Sequence, residues 1–284
     1  MPTATDRLLE RLDLDSIDGD DTHQVWEGHA GAGALNYSNR LFGGMVVAQA
    51  IVAAGRTVPD RRIQSLQQVF LRGGRADTPL HYVVHRLFTG NTYASARVEV
   101  RQADEIISHV QVGFSSGIED GPVRYEPSPS TTSFDETVNR DELYKRPGWD
   151  DQPVEVRIDP AIDDRTDPLL DLWIKPLSSL PDDPVMHQAV MGYVSDRAFM
   201  GTAWKPHYEE HGLFKGSTLD HSIWFHEPVR FDHWHTFTTA SPAINDGRGL
   251  NFGSIYDGSG SRVASLVQQG TYRPIGEWPA DESG

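Results

Sequence analysis

A serine in a known hydrolase pattern is the first candidate for chemistry in this chain of 284 residues. Residues 113–117 read GFSSG and match G-x-S-x-G, in which the central serine, here Ser115, acts as a nucleophile. That pattern works only between a strand and a helix, because the sharp turn exposes the hydroxyl. The strand predicted at 105–115 instead continues into GIEDGPV, which cannot open a helix. We therefore do not expect a serine nucleophile here.

Two pairs of histidines are spaced to share one face of a strand, His81 with His85 and His233 with His235. Imidazole binds transition metals, but a protein site usually adds a third convergent ligand, and the sequence shows none beside either pair. The chain contains no cysteine, which excludes thiolate ligands, disulfides and a cysteine nucleophile. Phosphate-binding loops and dinucleotide fingerprints are missing as well. The sequence predicts no metal site and no organic cofactor.

Several longer segments carry more specific patterns. In the first half they read LFGGMVVAQA at 41–50, VFLR at 69–72 and GNTYASAR at 90–97. In the second half they read LDHSIWFHEP at 219–228, NDGRGL at 245–250 and VASLVQQG at 263–270. In order and spacing these segments resemble the acyl-CoA thioesterase II family, and the similarity runs from about residue 8 to residue 274. The resemblance implies a double-hotdog fold and the hydrolysis of fatty acyl-CoA to free fatty acid and CoA.

The same resemblance implies three catalytic residues around one water molecule. They are Asp196 in the segment GYVSD at 192–196, Thr218 two places before the Asp-His pair, and Gln268 on the last strand. Thioester hydrolysis needs a group that takes the proton of the water and groups that orient it. We assign Asp196 as the base and Thr218 and Gln268 as the orienting partners, because a hydroxyl and an amide can each donate and accept. This is direct attack by water, without an acyl-enzyme.

Substrate-binding residues are predicted more loosely. Gly43 and Gly44 begin an apolar helix, where free backbone N–H groups can hold an oxyanion. The phosphates of CoA require cations, and we consider Arg72, Arg97 and Arg248 for this role.

Two departures from the family pattern leave alternatives open. Gln67 stands where members often carry a histidine, and residues 70–74 read FLRGG instead of FLRPG. The loss of that histidine supports a non-catalytic sensor that binds acyl-CoA. A hotdog enoyl-CoA hydratase or dehydratase would pair an aspartate with a histidine, and His187 on the second predicted helix keeps that alternative open.

The elements that must position these residues follow an α+β pattern. An apolar, alanine-rich helix follows Gly44, and alternating strands are predicted at 63–72, 79–88, 92–102 and 105–115. A second helix at about 184–203 precedes strands at 217–227, 234–244, 248–257 and 261–273. Asp196 is expected near the C-terminal end of that helix, where its charge opposes the helix dipole. A helix is also predicted within 1–20, and an extra loop at 204–216.

The chain repeats itself once. Residues 90–113 align without a gap on residues 247–270, and both segments read as a glycine-marked hairpin. A single repeat of this kind indicates a duplicated domain rather than a solenoid. We predict an N-terminal hotdog at 1–116, a linker rich in proline, serine and acids at 117–150, a C-terminal hotdog with the catalytic residues at 151–275, and a tail at 276–284. Each domain is expected to be a curled antiparallel sheet around one central helix.

Composition excludes several classes of partner. The net charge of −16 argues against nucleic acid, because phosphate contacts need a positive face. The chain has no apolar run long enough for a membrane span and no signal peptide at its start. Together with the lack of cysteine this predicts a cytoplasmic protein. Because hotdog sheets leave exposed edges, we also expect homo-oligomers, either dimers or tetramers.

Overall fold

The computed structural model describes residues 1–31, 39–118, 121–128, 133–140, 142, 152–162 and 167–276. Its α-helices are α1 (Ala4–Arg11), α2 (Gly43–Thr57), α3 (Pro184–Trp204) and the short α4 (Tyr208–His211). Its strands are β1 (Asp15–Gly19), β2 (His23–Gly28), β3 (Arg62–Phe70), β4 (Leu80–Thr89), β5 (Tyr93–Gln102), β6 (Glu105–Ser115), β7 (Val138–Asn139), β8 (Val154–Ile158), β9 (Leu169–Pro176), β10 (Leu213–Phe225), β11 (His235–Asn245), β12 (Arg248–Tyr256) and β13 (Arg262–Gly276). None of the helices in these ranges combines the length and the apolar character that crossing a bilayer requires.

The strands of the described ranges form one antiparallel sheet with internal symmetry. Their order is β1-β2-β4-β5-β6-β3-β10-β13-β12-β11-β9-β8-β7. The two halves meet where β3 pairs with β10, with Leu66 opposite Ile223. Outward from this junction, β6 and β5 on one side correspond to β13 and β12 on the other. These two hairpins are the repeated segments of the sequence, so the predicted duplication is confirmed.

Two central helices fill the inside of the sheet. Helix α2 packs on β2 to β5, and α3 packs on β10 to β13. Nearly all of α2 is buried, as expected for a helix that is apolar on every side. The two helices also pack on each other in antiparallel directions, because Gly44 lies against Tyr193 and Gly55 against Val185. A β-carbon on Gly192 would lie 2.7 Å from the Ile51 side chain, so this close approach requires glycine. The α+β double hotdog implied by the resemblance is confirmed.

Some predicted elements differ from the structure. The helix predicted within 1–20 ends at Arg11, and residues 15–19 form the edge strand β1, whose side chains are all exposed. A strand of this kind has no apolar alternation that a sequence pattern could reveal. The extra loop at 204–216 contains two short helical turns, and β10 begins inside it at Leu213.

The predicted linker at 117–150 is described only in part. It contains the two-residue strand β7, which pairs with β8. Residues 119–120, 129–132, 141 and 143–151 lie outside the described residues, as do 277–284 of the predicted tail. The domain boundaries stay a prediction.

Candidate active site

Asp196 lies in the interior of α3, eight residues before the helix ends at Trp204. Its predicted position at the C-terminal end, opposing the dipole of its own helix, is therefore wrong. The residue is only 8% exposed. A buried carboxylate needs hydrogen-bond donors, because unpaired charge is costly away from water. The neighbours of Asp196 therefore decide whether it can stay ionised.

Two side chains from the sheet meet this carboxylate. The Thr218 hydroxyl on β10 donates to Asp196 Oδ1 over 3.0 Å. Gln268 on β13 donates from Nε2 to the same oxygen. Gln268 Nε2 also lies 3.3 Å from Thr218 Oγ1, so the three groups touch one another. Strands β10 and β13 are direct neighbours, and α3 lies across them, which brings together residues 72 positions apart in the chain.

A third donor comes from the other half of the chain. The backbone N–H of Gly44, in the first turn of α2, donates to the Asp196 carboxylate. The amides at the start of a helix lack partners within it and carry partial positive charge, which favours an anion. Gly43 lets the carboxylate approach, because a β-carbon at this position would lie 2.7 Å from Asp196 Oδ2. The antiparallel packing of α2 on α3 thus places a helix N-terminus beside Asp196.

Opposing effects set the protonation of Asp196. Burial raises its pKa above the ordinary value for an aspartate. The hydrogen bonds from Thr218, Gln268 and Gly44 act in the other direction and lower the pKa, but burial is the larger effect. A carboxylate with a raised pKa is a stronger base than a free aspartate, which suits proton abstraction from water.

A histidine and a serine that the sequence reasoning did not assign extend this cluster. His221 is fully buried, and its Nδ1 lies 3.3 Å from Gln268 Nε2. Its Nε2 lies 2.8 Å from the hydroxyl of Ser195. Both residues stand beside predicted site residues, Ser195 directly before Asp196 and His221 inside the LDHSIWFHEP segment. That adjacency was the available signal, but it could not show which side chains point inward.

The three predicted arginines lie outside the cluster and are each paired with a nearby acid. Arg72 is 3.8 Å from Glu105, while Arg97 and Arg248 bind the acids two positions away, at 3.0 Å and 3.1 Å. Arg72 stands two positions after Phe70. The ring of Phe70 is close to the start of α2, because it would lie 3.3 Å from a β-carbon on Gly43. Arg97 on β5 is three strands away from β10. Arg248 precedes Gly249 on β12. Gly249 pairs with Gly270 of β13, and Gly270 pairs in turn with Thr218 of β10.

Two other residues from the sequence analysis bear on the alternatives. Gln67 lies on β3 opposite Ser222 of β10, and its half-buried side chain alternates with the buried Gln68. His187 is nine residues before Asp196 on α3, which corresponds to about 13 Å of helix rise. Its Nδ1 accepts the backbone N–H of Phe231 at 3.0 Å. His187 therefore does not form the aspartate–histidine pair that a hydratase needs.

Side chains of the metal-ligating types are distributed over the described ranges. No three histidine, aspartate or glutamate side chains converge there in a way that could hold a metal ion. His233 precedes β11, which begins at His235, so these two residues do not share a strand as predicted.

Known proteins match both halves of the chain. A family model described as "Acyl-CoA thioesterase N-terminal domain" matches residues 33–116, and one described as "Acyl-CoA thioesterase" matches residues 164–271. Acyl-coenzyme A thioesterase 8 of Homo sapiens is 31% identical over 260 residues, which are 83% of this chain and 81% of the relative. Acyl-CoA thioesterase 2 of Haemophilus influenzae is 30% identical over 253 residues, covering 82% and 88%.

Solved structures agree with these relatives. The acyl-CoA thioesterase II TesB2 from Mycobacterium marinum is 28% identical and superposes with a TM-score of 0.79, covering 96% of this chain and 99% of that one. A thioesterase II structure from Thermobifida fusca has a TM-score of 0.76 at 15% identity and shows the shared fold alone. The sequence matches span both halves of the double hotdog, including the elements that carry Asp196, Thr218 and Gln268. The chain therefore belongs to the acyl-CoA thioesterase family.

Proposed function

We propose that this chain, a thioester hydrolase by its family, hydrolyses fatty acyl-CoA by direct attack of a water molecule held by Asp196, Thr218 and Gln268. The observation that carries the proposal is the meeting of a hydroxyl, an amide and a helix N-terminus at one buried carboxylate. These groups come from both halves of the chain. A surface acid or an ordinary strand residue would not require such an arrangement.

The proposed reaction uses each group in a defined way. The oxygen of water attacks the thioester carbonyl carbon while Asp196 accepts a proton from the water. Thr218 and Gln268 hold that water in line with the carbonyl. Gln268 Oε1 is buried and has no donor among the described residues, so it can accept the second hydrogen of the water. The carbon–sulfur bond then breaks, and the proton passes from Asp196 to the CoA thiolate.

The developing oxyanion needs a separate donor. Gly44 was one candidate, but its N–H is bonded to Asp196. The amide of Gly43, one residue earlier at the same helix N-terminus, is the proposed donor to the substrate oxygen. For the CoA phosphates, Arg72 is the best placed of the three arginines. It stands two residues after Phe70, where β3 ends, and the ring of Phe70 lies beside Gly43. Arg97 and Arg248 stay predictions.

The cellular setting is also a proposal. The cytoplasm fits a chain without cysteine, and a dimer or tetramer fits a sheet whose edge strand β1 is fully exposed. Size-exclusion chromatography with light scattering measures the oligomeric state. A monomer at micromolar concentration would contradict that part of the proposal.

The central experiment replaces Asp196 with asparagine and follows thiol release from palmitoyl-CoA. Asp196→Asn keeps the shape of the side chain and removes its basicity, so we expect kcat to fall by about 100- to 10,000-fold. The matched control is Asp104→Asn in the exposed turn between β5 and β6, which should leave kcat unchanged. Unchanged thiol release by Asp196→Asn refutes the assignment. A wild type that releases no thiol from any chain length supports the sensor alternative instead.

A further inference from the structure

A buried line of hydrogen bonds leads from the backbone of α3 to Gln268. The hydroxyl of Ser195 donates to the carbonyl oxygen of Gly192 over 2.8 Å. His221 Nε2 lies 2.8 Å from the same hydroxyl oxygen, and His221 Nδ1 lies 3.3 Å from Gln268 Nε2. Ser195, His221 and Gln268 are each fully buried. Because these groups are shielded from water, each must find its hydrogen-bond partner within the line.

One arrangement of the hydrogens satisfies all of these contacts together. Because the Ser195 hydrogen goes to Gly192, the serine oxygen can only accept from His221. His221 Nε2 must then carry the hydrogen, which leaves Nδ1 as an acceptor. Gln268 Nε2 donates to that Nδ1. The neutral imidazole is thus held in one tautomer by a backbone carbonyl four positions before Asp196.

The amide of Gln268 depends on this acceptor. Its Nε2 has two hydrogens and lies within hydrogen-bond distance of three acceptors, Asp196 Oδ1, Thr218 Oγ1 and His221 Nδ1. If His221 Nδ1 carried a hydrogen instead, it would repel the amide N–H and favour a rotated Gln268. Rotation would place Oε1 against the Asp196 carboxylate and remove a donor from it.

We propose that His221, fixed by Ser195, is a positioning residue that sets the orientation of the Gln268 amide for the attacking water. The inference rests on the proposed function, because it assumes that Gln268 holds that water. His221 does not take the proton of the water itself: its ring is fully buried, packs edge-on against Phe199 at 5.8 Å, and uses both nitrogens within the protein. Its role is exerted through Gln268.

Three variants separate positioning from simple packing. His221→Leu removes the acceptor and keeps most of the volume. His221→Asn places an oxygen the same number of bonds from the backbone as Nδ1 and so retains the acceptor. Ser195→Ala removes the group that selects the tautomer. The matched control is Thr202→Val. Thr202 is on α3, the helix of Ser195, and its buried hydroxyl lies 2.7 Å from the hydroxyl of Thr239 on β11, so the change removes a buried hydrogen bond away from Gln268.

Steady-state kinetics with palmitoyl-CoA and the thermal unfolding midpoint are measured for all four variants. We expect His221→Leu to lower kcat on the order of 100-fold, as for a misplaced catalytic group, with KM changed by less than about 3-fold. His221→Asn should recover most of kcat, and Ser195→Ala should lower kcat by about 10-fold. Thr202→Val should lower the unfolding midpoint and leave kcat unchanged.

Several results would overturn the inference. The inference is wrong if His221→Leu keeps the wild-type kcat, or if the leucine and asparagine variants lose kcat equally. It is also wrong if Thr202→Val loses kcat to a similar extent. If His221→Leu does not fold, nitrogen-15 NMR of the wild-type imidazole still decides, because a hydrogen on Nδ1 contradicts the proposed tautomer. Failure of the proposed function is distinguishable, since it appears as full activity in Asp196→Asn. An inactive Asp196→Asn beside a fully active His221→Leu overturns only the role of His221.

Discussion

The backbone N–H of Gly44 donates a hydrogen bond to the carboxylate of Asp196. Gly44 stands in the first turn of the helix of one repeat, and Asp196 stands inside the helix of the other. The two helices are antiparallel, so the positive end of α2 faces a charge in the middle of α3. The N-terminal half therefore contributes to the site even though all three proposed catalytic side chains belong to the C-terminal half.

Gly43→Ala tests this contact. The new β-carbon would lie 2.7 Å from Asp196 Oδ2, so the carboxylate must move away from the helix N-terminus. We expect kcat to fall by about 10- to 100-fold, because small displacements of a catalytic group are costly. Gly55→Ala is the matched control, since its β-carbon would lie 2.8 Å from Val185 at the other end of the same helix pair. It should lower the unfolding midpoint without lowering kcat. Equal kcat in both variants would contradict the contact's catalytic importance.

The acid limb of the pH–rate profile should report Asp196. Burial raises the pKa of Asp196, whereas the hydrogen bond from Thr218 lowers it. Thr218→Val removes that bond, so the pKa rises further and more carboxyl groups are protonated at a given acidic pH. We expect the midpoint of the acid limb of kcat/KM to move upward by roughly 0.4 to 1 pH unit, the equivalent of one hydrogen bond. The control Thr202→Val should leave the midpoint in place. A downward shift in Thr218→Val would contradict this reading of the site.

Stability should decrease in mild acid because of buried histidines. Burial lowers the pKa of His221 to about 3, below the value of about 6.5 for an unfolded chain. Between these pH values the unfolded state binds more protons, so the free energy of unfolding falls as the pH is lowered from 6.5 towards 3. The pKa values of His187 and His235 are also lowered by burial and act in the same direction. The raised pKa of Asp196 acts in the opposite direction, because the folded state binds a proton there more readily than the unfolded state does.

The histidine contribution can be isolated with His221→Asn. For His221 alone we expect a loss of about 2 kcal/mol between pH 7.5 and pH 5. Urea unfolding at both pH values gives this difference for the wild type and for the variant. The variant should lose about 2 kcal/mol less than the wild type over this interval. An identical pH dependence in the two proteins would show that His221 does not carry the effect.

The packing between the central helices predicts a large difference between two isoleucines. Ile51 on α2 is fully buried and approaches Gly192 of α3, whereas Ile17 on β1 is 50% exposed. Ile51→Ala should lower the free energy of unfolding by about 2 to 5 kcal/mol, because it removes buried methyl groups and leaves a cavity. Ile17→Ala, the same chemical change, should cost less than about 0.5 kcal/mol. Chemical denaturation at neutral pH compares them, and similar losses would contradict the central position of α2.

The sequence by itself determined the local structure and the residue types of the site. The apolar character of residues 45–54 predicts a buried helix, and the repeated hairpins at 90–113 and 247–270 predict the symmetric sheet. Periodicity reveals such elements because each one reflects how neighbouring side chains divide between core and solvent. Periodicity did not single out Asp196, Thr218 and Gln268; the resemblance of their short, continuous segments to the acyl-CoA thioesterase II family did.

Only the tertiary structure decided how these segments meet. The hydrogen bond from Gly44 to Asp196 depends on the antiparallel packing of two helices about 150 residues apart, and the contact of His221 with Gln268 depends on the register of β10 against β13. A one-residue shift of that register would turn the opposite set of side chains inward. Neither helix packing nor strand register is encoded in a local pattern, because both follow from the shape of the whole core.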